Sequence, residues 1–203
     1  MISILATSRS GHHWIGSVIK SWFTNEDADY LTNVLPTDLK NHKLGEKRVI
    51  VIRDFPNFLA SMLKAYLDTH GVESSWRIAA DRKIEAYDAI LDEAAFPKYF
   101  NADVVISYSF FTQSRKYRQE ICKTLGGRYN EEELDVVSEE GSSFDGHSFE
   151  GIGNKMTINQ RYLQIADTPW DFIYTNILNE KRSKIIMDKW NKTIQASYGK
   201  FVF

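Results

Sequence analysis

The stretch Arg48-Val49-Ile50-Val51-Ile52-Arg53 limits the fold of this chain more than any other. Its apolar residues do not alternate with polar ones, so it fits a strand covered on both faces, and such strands belong to parallel sheets. Two further runs have the same character, residues 2–7 at the start of the chain and Asp103-Val104-Val105-Ile106-Ser107-Tyr108. A helical pattern follows each of them. Residues 12–24 place Ile15, Val18, Ile19, Trp22 and Phe23 at helical spacing. After Arg53, Asp54 and Pro56 suit a helix start, Leu59, Met62, Leu63, Tyr66 and Leu67 form its stripe, and Gly71 suits its stop. Residues 75–95 read as another helix, and 114–125 as the one after the third strand, closed by Gly126-Gly127. This alternation predicts an α/β fold, a short central parallel β-sheet flanked by helices with right-handed crossovers. Ligands in such sheets bind beyond the carboxyl ends of the strands, where Arg9, Arg53 and Tyr108 fall.

Composition narrows the class. A chain of 203 residues, 43% hydrophobic, suits a single domain over 1–203. A net charge of −2 gives nucleic acid or an anionic membrane no electrostatic footing. One cysteine, Cys122, excludes an internal disulfide framework and a Cys-rich zinc site. No apolar run approaches the roughly 20 residues of a membrane span. The first residues lack the basic segment and long apolar stretch of a secretory leader, so a soluble, cytoplasmic protein is expected. Residues 131–140 form an acidic stretch that reads as a solvated face, 141–155 are rich in glycine and serine, and 170–178 and 182–196 read as closing helices.

Ser8-Arg9-Ser10-Gly11-His12-His13-Trp14 joins the first strand to the first helix. The freed N–H groups of a first helical turn and the positive end of its dipole make an anion seat, and Arg9 adds a full charge. The sequence Gly-x-x-x-x-Gly-Lys-Ser/Thr is absent, so an ordinary ATP loop has no support. A tight turn whose Ser and Gly only cap the helix fits the same residues. Arg53 and Ser61 form a second pair, a strand-end fork of donors and a helix hydroxyl lying opposite the apolar stripe. An Arg paired with Asp54 beside a solvated Ser is the plainer alternative.

Ser8 to Trp14 resembles the 5′-phosphosulfate loop of the sulfotransferases that use 3′-phosphoadenosine 5′-phosphosulfate (PAPS), commonly Pro-Lys-Ser-Gly-Thr-Thr-Trp. Residues 49–61, a strand ending in Arg53-Asp54 with Ser61 after it, are similar to that family's 3′-phosphate segment. Ile106-Ser107-Tyr108, followed by Lys123-Thr124-Leu125-Gly126, is similar to its strand ending in Tyr-Glu-Asp and its helix ending in Phe-Leu-Gly. The resemblance implies a P-loop NTPase-like sulfotransferase architecture and transfer of a sulfuryl group from PAPS to an acceptor hydroxyl or amine, with no metal. It implies that Ser10, Gly11, His12 and His13 hold the phosphosulfate. Arg9 takes the place of the usual Lys and stabilises charge on the bridging oxygen. Trp14 and Tyr108 would contact adenine, and Arg53 and Ser61 would bind the 3′-phosphate. Ser142-Ser143-Phe144 resembles an adenine-side Thr-Ser-Phe element, and Lys155 stands where the family closes a basic loop on the 3′-phosphate.

The departures are as informative. Two histidines replace two threonines in the loop, and the basic pair before Lys155 is missing. The family's general base is a His in a Lys-Thr-His stretch. Lys40-Asn41-His42 resembles it, but His42 lies only eleven residues before Arg53. His42 and His13 are therefore the candidates for the base, with His12 or a carboxylate as alternatives. Few residues remain for acceptor loops, which suits an open site for a glycan or peptide, or a partner that completes it. A P-loop-type nucleotide or nucleoside kinase and a non-catalytic nucleotide-binding domain are the competing readings.

Overall fold

The computed structural model describes residues 1–24, 26–71, 76–131, 161–168 and 170–199. The expected Ser142, Phe144 and Lys155, and most of the acidic and glycine-rich stretches around them, lie outside these residues.

The strands are β1 (Ile2–Ala6), β2 (Ala28–Thr32), β3 (Lys47–Ile52) and β4 (Val104–Ser107). They form one four-stranded sheet of order β2-β1-β3-β4, parallel throughout. The α/β expectation therefore holds. β1 is buried along its whole length, as its unbroken apolar run requires. β2 was not foreseen: its sequence Ala-Asp-Tyr-Leu-Thr buries only Leu31, and it is an edge strand held by β1 alone.

The helices between the strands divide over the two faces. α1 (His12–Ser21) packs on one face with α4 (Tyr108–Gln113) and α5 (Arg115–Leu125), around Ile4, Ala6, Val49, Val51 and Ile106. α2 (Phe55–His70) and α3 (Trp76–Ala95) cover the other face around Leu5, Ile50 and Ile52. A short α6 (Arg161–Gln164), α7 (Asp171–Asn179) and α8 (Lys181–Gly199) enclose α2 from outside. The α2 boundaries follow from its ends: the Asp54 carboxylate accepts from the Asn57 amide at 3.0 Å, and Gly71 closes the helix at φ +66°.

The strand order places a topological switch between β1 and β3. From β1 the chain leaves through α1 toward β2 on one side, and from β3 through α2 on the opposite face. Helices departing to opposite faces open a crevice at the carboxyl ends of those two strands. Ser8 to Gly11 and Arg53 border it.

Candidate functional site at the carboxyl ends of β1 and β3

The loop after β1 is built from left-handed residues. Arg9 has φ 67° and Gly11 φ 76°, with Gly11 as the N-cap of α1. A Cβ on Gly11 would stand 2.0 Å from a ring carbon of Tyr108, so only glycine fits. Ser10 folds back: its N–H and Oγ both donate to the Thr7 carbonyl, at 3.3 and 2.8 Å. The first intrahelical bond is Ile15 N–H to Gly11 C=O at 3.1 Å, so the amides of His12, His13 and Trp14 point out of the helix end without intrahelical acceptors. That is the geometry of an anion seat.

β2 braces this loop from outside. The Ser8 amide donates to Asn33 Oδ1 at 2.9 Å, and Asn33 itself is left-handed at φ 57°. His12 Nδ1 lies 3.1 Å from Ser10 Oγ, and His12 Nε2 lies 2.9 Å from Thr32 Oγ1. The single Ser10 hydroxyl proton goes to Thr7, so Ser10 accepts at His12 and Nδ1 carries the ring proton; Nε2 then accepts from Thr32. His12 is 3% exposed, and burial, with the neighbouring His13, lowers its pKa to about 4. The histidine is neutral at pH 7. Its side chain is therefore a brace between the loop and β2, which corrects the expectation that it donates to the ligand; only its backbone N–H faces the seat. His13 is half-buried and lies between His12 (4.2 Å between centroids) and Tyr30 (4.6 Å) at the helix mouth, its ring tilted 39° to each.

Arg53 ends β3 and is 4% exposed. One Nη1–H donates to the Arg9 carbonyl at 3.2 Å, and its guanidinium lies 4.9 Å from the Tyr108 ring centroid. Burial lowers its pKa, but an arginine keeps its charge at neutral pH. Its own carbonyl accepts from Tyr87 Oη of α3. Burial holds that phenol well above the ordinary tyrosine value, so it stays a donor. Asp54 serves as the α2 cap, its Oδ1 accepting also from Asn57 Nδ2 at 2.8 Å.

Tyr108 opens α4 rather than ending β4 and is 8% exposed, its ring laid against Gly11 and Arg53. Trp14 is half-buried and meets Phe111 edge-on at 5.7 Å and Tyr108 at 6.2 Å. Ser61 is 2% exposed. The helical wheel set it on a polar side of α2, but Asn57 to Leu63 is buried without a break because the sheet and α3 lie on one side and α6 to α8 on the other.

His42 is placed elsewhere. It is exposed and follows a short 3-10 helix, Pro36–Asn41. Three residues on, the Gly45 amide donates to Ser3 Oγ beside the amino end of β1. The structure thus sets His42 toward the amino ends of the strands, across the sheet from Arg53. Among the described residues no group of His, Cys, Asp or Glu side chains is arranged to hold a metal, and no helix is long and apolar enough to cross a membrane.

Thr32, Asn33 and Tyr87 are the residues that sequence reading missed. All three act through the edge strand or a hydrogen bond between distant segments, and no local pattern announces them. Compared with known proteins, the chain matches no family model, no curated protein and no solved structure.

Proposed function

We propose that the chain is a PAPS-dependent sulfotransferase, moving a sulfuryl group to an acceptor hydroxyl or amine and releasing adenosine 3′,5′-bisphosphate. The observation that carries this reading is the Arg53 Nη1 to Arg9 C=O bond at 3.2 Å. It puts a buried strand-end cation and a helix-mouth anion seat side by side at the switch point, as a nucleotide with both a 5′ and a 3′ anionic group needs. The planar fork of N–H donors on a guanidinium suits a phosphate.

In the proposed step the acceptor oxygen attacks sulfur as the bond from sulfur to the bridging phosphate oxygen breaks. The electron pair stays on that oxygen, where Arg9 and the His12 and His13 amides offset the developing charge. His13 takes the acceptor proton and passes it to water, since it is the candidate base that sits at the loop. Rate enhancement would come from alignment and fixed dipoles, as in phosphoryl transfer.

Calorimetry with adenosine 3′,5′-bisphosphate and with ADP tests the reading. A preference for the bisphosphate of tenfold or more is expected, and Arg53→Met should weaken its binding by about 1.5–3 kcal/mol, the worth of a charge-assisted hydrogen bond. Equal affinity for the two nucleotides would favour a kinase-like site and sink the PAPS reading. Binding without transfer from labelled PAPS to glycan, phenol and tyrosine-peptide acceptors would leave a nucleotide-binding domain.

A further inference from the structure

α3 carries Lys83 and Tyr87 one turn apart, hence on one face. Tyr87 Oη donates to the Arg53 carbonyl, which pins that face to the carboxyl end of β3. Arg53 in turn donates to the Arg9 carbonyl. Lys83 is half-buried, its stem bordering a narrow apolar groove with Met62, Leu63, Tyr66, Trp76, Ala79 and Ala80. Apolar packing of the stem leaves the ammonium at the end of the side chain.

From this face the Lys83 charge lies within electrostatic reach of Arg9. Burial, and then the neighbouring Arg9 charge, hold the Lys83 ammonium below the ordinary lysine value, and burial lowers Arg9 as well. Among the described residues neither side chain has a hydrogen-bond or ion-pair partner. Partly desolvated cations that repel one another raise the energy of the empty protein, and a multiply charged anion between them removes that cost.

We propose that Lys83 is a further cation of the anion seat, reaching from α3 to the same ligand group that Arg9 and the first turn of α1 hold. The seat then selects a terminus with two linked anionic groups, such as a phosphosulfate or a diphosphate, over a single phosphate. This rests on the nucleotide reading for its biological ligand but not for its test, because inorganic anions probe the seat directly.

Titrations with inorganic pyrophosphate and inorganic phosphate compare the wild-type protein with Lys83→Met, which keeps the apolar stem, Lys83→Arg, and Arg82→Met, which removes an exposed charge from the same helix. The wild type should bind pyrophosphate at least tenfold more tightly than phosphate. Lys83→Met should abolish most of that difference, Lys83→Arg should restore it, and Arg82→Met should leave it intact. NMR of the lysine side chains should show the Lys83 pKa rising when pyrophosphate binds, as an approaching anion demands. Equal pyrophosphate binding by wild type and Lys83→Met overturns the assignment. If Lys83→Met weakens pyrophosphate binding but the protein shows no preference for adenosine 3′,5′-bisphosphate over ADP, the anion seat stands and the PAPS reading falls. A wild-type protein that binds none of these anions overturns both.

Discussion

His12 is a base held neutral chiefly by its burial, and that has a consequence for stability. Its pKa is lowered from an ordinary 6.5 to about 4 by burial first and the His13 charge second. The unfolded chain therefore takes up a proton at a higher pH than the folded one. The stabilisation is fully present above about pH 6.5 and is lost as pH falls through about 4. The loss across that window is about 3 kcal/mol. Urea unfolding of the wild type should weaken over that window more steeply than that of His12→Gln; parallel curves would show that the imidazole is not shielded as described. The turn from β1 into α1 was readable in Ser8 to Trp14, because a strand, a glycine and a helix start are local signals. The role of the His12 ring was not. It depends on Thr32, twenty residues away on a strand with almost no apolar pattern.

At the scale of elements, the connection from α3 to β4 turns on Glu93. The residue is buried, and its Oε1 accepts from the amides of Lys98, Tyr99, Phe100 and Asn101 at 2.9, 2.9, 2.7 and 3.4 Å. A carboxylate gathering four amides satisfies donors that would otherwise be desolvated in a tight turn. Glu93→Ala should lower stability by about 3 kcal/mol or more, since each orphaned buried donor costs about 1–3 kcal/mol. A melting temperature within a degree of wild type would refute that role. Helix ends were legible where a cap stood at the expected place, as with Asp54, Gly71, Ser114 and Gly126. Strand β2 and the short helix α4 were not, since β2 carries Asp29 and Thr32 in five residues and α4 begins where β4 was expected to continue. Ser61 was placed on the right helix, but α2 is enclosed on both sides, in part by helices about a hundred residues later.

At the scale of the molecule, α2 is an interior helix and the C-terminal helices are part of the core. Tyr174 and Ile177 of α7 and Ile186 of α8 lie in the same buried cluster as Leu59, Leu63 and Ile84. Lys189 bridges Asp88 and Asp92 across α8 and α3, at 2.5 and 2.7 Å, and Arg77 joins Glu180 at 2.8 Å. A chain ending at residue 170 should therefore lose its cooperative thermal transition in calorimetry. A sharp transition near the wild-type temperature would show that these helices are an appendage. The parallel sheet itself was legible because strands buried on both faces have to be apolar throughout. Its order was not, because the placement of β2 beside β1 leaves no mark on either strand, and that order is what creates the switch point.

The hydrogen bonds behind the loop all run one way. Thr32 gives its proton to His12, His12 gives one to Ser10, and Ser10 gives one to the Thr7 carbonyl. A relay must be able to reverse, each member handing its proton back, and a carbonyl has none to return. This row is thus a wire grounded at Thr7. It conducts no proton, so the His12 ring is insulated from whatever occupies the crevice.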